Sequence, residues 1–514
     1  MPRANRPAEN AELKEMSLGR RTFLGASWQL ASVLAQASLQ FLIIAILARF
    51  LLPNEFGLVA MANVAIALAT MLSQVGLGPS LVQRQELTSV HVRVAFSTSL
   101  VLGIGAAAAL WLVAPMVGRL FENAMAVGVL RGLSPMLFFA SGGTVGEAVL
   151  ERELRFKQLM WANVGSFALV YAPVGVTMVV LDYGVWALVG ASVSQSFARS
   201  LTLIVISRHP CRPALAWVEL RQLLGFGGGV TLVRLSNYLA QQADLAIVGR
   251  WLGSAMLGAY HLAFTGMNLQ GRYVGNVLDK VLFPAMAKMQ READRLGEVY
   301  LRGIGAVGLL TVPMSTLLII AAPELVPTAL GPGWDAVVVP FQILVLQAPL
   351  RGCVRISDAL VGALGAVYRI AARRVLYALM FVTACLVGVR WNLPGVAVGV
   401  TIAVVFNSVM MASLGLRSVN RTWPELGAAL TPGILIALVA ALSGGATAIL
   451  LRSCAVTPVV VLGATGLAAA LATGAVVSLL PRILGPAGLW LVVETSALFE
   501  HRNRLLAHLA RGAR

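Results

Sequence analysis

Three otherwise apolar stretches carry charged and amide side chains at helical spacing. Residues 226–248 hold Arg234, Asn237, Gln241 and Asp244. Residues 256–283 hold His261, Thr265, Asn268, Arg272, Asn276 and Asp279. Residues 337–364 hold Gln347, Arg351, Arg355 and Asp358. Steps of three and four line each set along one helix face. A fourth, uncharged stripe runs through Gln29, Ser32, Gln36 and Gln40. Ionisable groups in a spanning helix are costly, so they face a hydrated cavity or a partner. Arg131, Arg199, Arg234, Arg272, Arg351 and Arg355 outnumber Glu147, Asp244, Asp279 and Asp358 at similar depth. That imbalance favours an anionic ligand, and the planar arginine fork suits phosphate oxygens in particular.

The expected binding set is therefore Arg272 first, as the deepest residue of the longest stripe, with Arg234, Arg351, Arg355, Arg131, Asn268, Asn276 and Gln241. Asp244, Asp279 and Asp358 are candidates for coupling to protons or sodium. Internal ion pairs compete with this reading, for example Arg355 with Asp358, or Asp244 with a neighbouring arginine. Arg199 lies within reach of the cytoplasmic interface, where it can snorkel.

Other chemistries lack their residues. No GxxxxGK[ST] is present, so nucleotide hydrolysis through a P-loop is excluded, and no HExxH or nucleophile elbow occurs. Gly227, Gly228 and Gly229 open the 226–248 stretch without the Lys-Ser/Thr that a phosphate loop requires. His261 stands alone, which favours a hydrogen-bonded polar residue over a metal ligand. Cys211, Cys353, Cys385 and Cys454 have neither CxxC nor disulfide-framework spacing and read as small buried apolar residues. No metal, no cofactor and no enzymatic activity is expected.

The elements that must position these residues follow from composition. Of 514 residues, 58% are hydrophobic and 12% charged, and the mean hydropathy is +0.82. Soluble chains carry about a quarter charged residues. A soluble enzyme and a disordered scaffold are thereby disfavoured. The net charge of +17 could suggest nucleic acid, but the basic residues sit between apolar stretches instead of forming one polar face. A bilayer-spanning helix needs about 20 apolar residues. Fourteen stretches qualify: 27–48, 57–78, 94–117, 129–150, 160–181, 184–207, 226–248, 256–283, 304–322, 337–364, 376–391, 394–415, 428–450 and 457–480.

Basic residues crowd alternate connections, while the opposite side carries only Arg49, Arg119, Arg250, Arg390 and Arg452. This alternation predicts cytoplasmic N- and C-termini. No cleavable signal is expected, because the first 21 residues are polar and the apolar run after them is too long for a signal h-region.

Positions in the 48–62 turn recur 201 residues later. Arg49, Phe50 and Leu51 correspond to Arg250, Trp251 and Leu252. Phe56, Gly57 and Ala62 correspond to Leu257, Gly258 and Ala263. The expected organisation is a cytoplasmic tail (1–26), an N-lobe of six helices (27–207), a cytoplasmic linker (208–225), a C-lobe of six helices (226–415), two added helices (428–480) and an amphipathic cytoplasmic tail (481–514). A parallel repeat of two six-helix lobes would enclose a central cavity. Gly463, Gly466 and Gly474 in the last span are expected at close helix contacts.

Several stretches resemble the polysaccharide-transporter (Wzx-like) branch of the multidrug/oligosaccharidyl-lipid/polysaccharide flippase superfamily. They are Ala48-Arg49-Phe50-Leu51-Leu52-Pro53 with Phe56-Gly57, the cytoplasmic Leu150-Glu151-Arg152-Glu153-Leu154-Arg155-Phe156, Phe283-Pro284-Ala285-Met286, and Leu330-Gly331-Pro332-Gly333-Trp334. The resemblance implies a V-shaped two-lobe fold in the bacterial inner membrane. It also implies flipping of polyprenyl-diphosphate-linked oligosaccharide, with cavity arginines engaging the diphosphate and Arg272 placed where one is expected. Its implied partners are the lipid-linked glycan, membrane lipids and other polysaccharide assembly proteins, with no role for nucleic acid. A drug/cation antiporter of the same superfamily would favour carboxylates and aromatics where this chain has arginines. A glycan polymerase would need a large periplasmic loop that this chain lacks, and a non-transporting scaffold leaves the polar stripes unexplained.

Overall fold

The structure is a computed structural model that describes residues 18–74, 76–84, 87–210, 212–214, 216–221, 242–289, 292–364, 367–454, 456–480, 483 and 485. Within these, only the backbone is described for 18–31 apart from Trp28, and for 270–285, 287, 288, 293, 367, 368 and 371. The described residues are helical, with no strand. They fall into two compact units, Met1–His261 and Leu262–Arg514.

In the first unit the long helices are α1 (Leu18–Ala48), α2 (Pro53–Gln74), α4 (Ser89–Leu120), the broken pair α5 (Ala124–Leu133) and α6 (Pro135–Arg152), and α9 (Val185–Ser207). Between α2 and α4 lies the short α3 (Leu77–Gln83). Between α6 and α9, α7 (Phe156–Ser166) and α8 (Ala172–Val180) are joined by a π-helical turn, Phe167–Tyr171. Local chemistry sets the helix starts. Thr88 and His91 form a reciprocal capping box on α4, and Asn123 accepts from Met125 N at 3.0 Å on α5. Pro135 occupies the first turn of α6, where no intrahelical N–H is needed. α6 packs on α4 and α9, and α1 on α7.

The 201-residue repeat has a structural counterpart inside this unit. A Cβ on Gly57 would strike the carbonyl oxygen of Ser254, and a Cβ on Gly258 would strike that of Pro53. Pro53 and Ser254 are themselves repeat-related, so the two matched helix starts cross reciprocally through glycine. Ser254 Oγ donates to Asn54 Oδ1 at the same crossing, and Arg250 pairs with Glu122 at 2.7 Å beside it.

The second unit contains most of α10 (Gly253–Lys288), then α11 (Ala293–Leu330), α12 (Val338–Val345), α13 (Gln347–Ala363), α14 (Val367–Gly388), α15 (Asn392–Ser418), α16 (Trp423–Ser453) and α17 (Pro458–Leu479). α14 and α15 form an antiparallel hairpin closed by Gly388 on Gly395 and Gly399 on the Ala384 carbonyl. α11 packs against α13, α16 and α17. Its core contact gathers Tyr300, Ile304 and Val307 with Ile356 and Leu360 of α13.

Ten stretches among the described residues are long and apolar enough to cross a membrane, one of them containing the α14–α15 hairpin. Their outward faces expose large apolar side chains such as Leu112, Leu169, Leu442 and Leu479, a surface that lipid covers and water would not. Most of the expected span 226–248 and the expected amphipathic tail lie outside the described residues.

Two expectations are corrected. Gly463, Gly466 and Gly474 have nothing within contact distance of an added Cβ. α17 instead buries Val461, Thr465 and Ala469, with Thr465 and Ala469 meeting Gly444 of α16. The glycines lie off that i, i+4, i+8 stripe, so their small size serves no contact. Cys353 and Cys385 are buried as expected, whereas Cys454, at the turn after α16, is exposed.

Candidate functional site

α13 begins at a break in a long apolar run. Leu346 separates it from α12. Two bonds tie the break to α11: Ser315 Oγ of α11 donates to the Val345 carbonyl at 3.2 Å, and Gln342 Nε2 of α12 donates to the Ile319 carbonyl of α11 at 2.9 Å. Immediately after the break, Gln347 is fully buried. One turn on, Arg351 is partly buried and donates Nε–H and Nη2–H to Gln347 Oε1 at 3.1 and 2.9 Å. Gln347 Nε2 donates to Thr401 Oγ1 of α15 at 2.9 Å. The sequence places Gln347 and Arg351 on one face, and the structure brings them into contact. Among the described residues, no carboxylate lies within ion-pair distance of Arg351.

The remaining expected residues have different surroundings. Asp358, named as a possible partner of Arg355, pairs with Arg374 of α14 at 2.7 Å. Arg355 is exposed. Asp244 is fully buried and accepts hydrogen bonds from the Tyr260 hydroxyl at 3.0 Å and the Leu245 N–H at 2.9 Å. Tyr260, which sequence reasoning missed, follows Asp244 after one intervening turn. Arg131 lies on the Trp111 ring, 4.1 Å from its centroid, as a cation–π pair. Asn268 is partly buried. Arg272, Asn276 and Asp279 keep a common face along the unbroken α10 backbone, but their side chains lie outside the described residues. Arg234 and Gln241 lie outside them altogether. The Nδ1 of His261 is buried without a hydrogen-bond partner among the described residues.

Arg199 does not simply snorkel. Its Nη2 meets Glu147 Oε1 at 2.6 Å and its Nε meets Asn163 Oδ1 at 2.7 Å. Glu147 also borders a polar recess of about 220 Å³ lined by Gln74, Thr144 and Glu151. Towards the other end of the second unit, Glu324 of α11 holds Arg452 of α16 through two contacts at 2.6 and 2.8 Å. This pair is not visible in the sequence, because its members are separated by several helices.

Long apolar helices joined by short turns, with a few fixed polar clusters inside them, define a multi-pass helical membrane protein. The same fold appears in the solved structure of the lipid II flippase MurJ in an inward closed conformation, with a TM-score of 0.60 and 12% identity. That match covers 90% of this chain and 99% of the other. The chain belongs to the polysaccharide biosynthesis protein family, whose model matches residues 46–339. Among relatives, the lipopolysaccharide biosynthesis protein WzxC of Escherichia coli (strain K12) is 24% identical over 77% of this chain and 81% of its own. The succinoglycan biosynthesis transport protein ExoT of Rhizobium meliloti (strain 1021) is 26% identical over 56% of this chain and 58% of its own.

Proposed function

We propose that the protein is a flippase that moves polyprenyl-diphosphate-linked oligosaccharide from the cytoplasmic to the periplasmic leaflet of a bacterial inner membrane. Family membership, a relative named as a transport protein and a fold shared with a lipid II flippase support the reading. The observation that carries it is Arg351: a guanidinium held in a spanning segment by a neutral amide, with its charge left for a ligand. A diphosphate headgroup supplies the opposite charge and paired oxygens that this fork fits. Arg272, Arg234, Arg355 and Arg131, with Asn268, Asn276 and Gln241, complete the proposed substrate path.

In this reading fourteen helices cross the membrane, two repeat-related lobes alternate in access, and both termini are cytoplasmic. Asp244, Asp279 and Asp358 are the candidates for ion coupling, and other polysaccharide assembly proteins are the expected partners. With no nucleotide motif, energy must come from an ion gradient, the membrane potential or consumption of product. The potential supplies about 2.3 kcal/mol per charge per 100 mV.

The test is reconstitution into liposomes containing a polyprenyl-diphosphate oligosaccharide, with leaflet accessibility followed over time. Protein-dependent exchange between leaflets is expected. A folded protein that leaves the lipid in place while exporting organic cations would replace this reading with the antiporter. Orientation has its own readout, because Cys454 is exposed and falls on the proposed periplasmic side. A membrane-impermeant maleimide should label it on intact spheroplasts, and labelling only after lysis would overturn the proposed orientation.

A further inference from the structure

The hydrogen bonds behind Arg351 run in one direction. Thr401 Oγ donates to the Ala397 carbonyl at 2.7 Å, so it is left to accept from Gln347 Nε2 at 2.9 Å. The Gln347 amide is thereby fixed with its oxygen towards Arg351, where it accepts two N–H groups. Reversing the amide would set its NH₂ against a guanidinium, which has donors only. Burial of Gln347 makes that error expensive. Two bonds between α11 and α12, from Ser315 Oγ to the Val345 carbonyl and from Gln342 Nε2 to the Ile319 carbonyl, fix the helix start on which Gln347 sits.

The choice of amide decides what Arg351 can do. Gln347 engages the Nε–Nη2 edge of the guanidinium, and the Nη1–Nη2 edge, the end-on fork, has no second partner among the described residues. A glutamate there would provide the same geometry and cancel the charge. A leucine would leave the charge and lose the geometry. Only a neutral acceptor whose orientation is itself fixed gives an aimed and uncompensated cation.

We propose that Gln347 and Thr401 are positioning residues that hold the Arg351 fork for the phosphate oxygens of a diphosphate headgroup. This rests on the flippase reading above, and it adds the device that distinguishes a diphosphate from a headgroup with a single phosphate. Two linked phosphates present oxygens to a fixed fork from both groups, whereas an arginine free to turn must give up rotamer entropy to hold the one direction that reaches both.

The test compares wild type with Arg351→Ala, Gln347→Glu, Gln347→Leu, Thr401→Val and Thr401→Ser. Purified full-length protein is titrated with a polyprenyl-diphosphate oligosaccharide and with the corresponding monophosphate lipid, and each variant's Tm and flipping rate are measured. Arg351→Ala and Gln347→Glu should each weaken diphosphate binding by about tenfold or more, the scale of one lost charge-assisted hydrogen bond. Gln347→Glu should do so without lowering Tm, because it builds an ion pair. Gln347→Leu and Thr401→Val should narrow the diphosphate-over-monophosphate preference, and Thr401→Ser should restore it. A purely structural role would lower Tm in Thr401→Val and leave the preference intact, which would overturn the proposal. Wild-type binding by Gln347→Glu, with binding lost in Arg351→Ala, would also overturn it while leaving the flippase reading standing. A folded wild type that neither binds nor flips the diphosphate lipid would remove both.

Discussion

Arg199 and Arg351 are both arginines in spanning segments, and the groups facing them differ by one atom type. Arg199 meets the carboxylate of Glu147 at 2.6 Å and the amide of Asn163. Among the described residues, Arg351 meets only the amide oxygen of Gln347. The first arrangement cancels its charge and ties α6, α7 and α9 together. The second keeps its charge and fixes its direction. An intramembrane arginine is therefore not a functional residue by type alone, and the charge state of its nearest acceptor separates a structural clamp from a ligand contact.

The largest effect should come from Arg351→Ala, which removes the uncompensated cation. Transport of the diphosphate lipid should fall about a hundredfold, while stability falls by only about 1 kcal/mol as the buried Gln347 Oε1 loses its donors, measured as flipping rate per folded protein alongside a melting curve. Arg199→Met should do the reverse. It strands Glu147 and should cost about 2 kcal/mol of stability, less than for a fully buried pair because both side chains keep some exposure. Flipping per folded molecule should stay within about twofold, so a selective loss of transport would erase the distinction between the two arginines.

Glu147→Gln sharpens the comparison further, because it converts the Arg199 environment into an Arg351-like one. A loss of about 1 kcal/mol in stability and a gain of anion binding at the recess beside Gln74 and Thr144 are expected, readable by pyrophosphate titration. No gain of binding would show that an uncompensated charge is insufficient without a fixed fork.

The smallest effect concerns the linker after α9, which is docked on α4. Arg93 donates to the carbonyls of Arg212 and Pro213 at 3.1 and 3.3 Å, and buried His209 contacts Ser207 Oγ at 2.7 Å. Burial pushes the His209 pKa below the ordinary imidazole value. The unfolded chain therefore binds the proton more readily, and stability should fall as pH drops below about 6.5. His209→Gln should flatten that part of a Tm-versus-pH curve, and an unchanged slope would dismiss His209 as its source.

Features confined to one helix were legible in the sequence. The four-residue step from Gln347 to Arg351 placed both on one face, and the structure joins them there. Partners on other helices were not legible, since periodicity describes one helix at a time. Asp358 takes Arg374 from α14, Gln347 takes Thr401 from α15, and Glu324 takes Arg452 from α16. The break at Leu346 does have a local signal, which the reading of spans passed over: Pro349 has no N–H to bond the Val345 carbonyl four residues earlier. The α17 glycines misled for a related reason, because a small residue permits close approach only on the face a neighbour occupies. Gly57 and Gly258 were identifiable through the repeat, and they do occupy such a face.

The most direct test sets the two arginines side by side. Wild type, Arg351→Ala and Arg199→Met would be reconstituted at matched amounts of folded protein with the same polyprenyl-diphosphate oligosaccharide, and leaflet exchange followed in each. Exchange in wild type and Arg199→Met, with almost none in Arg351→Ala, is the predicted result. Full exchange in Arg351→Ala would contradict the claim that its uncompensated guanidinium engages the headgroup.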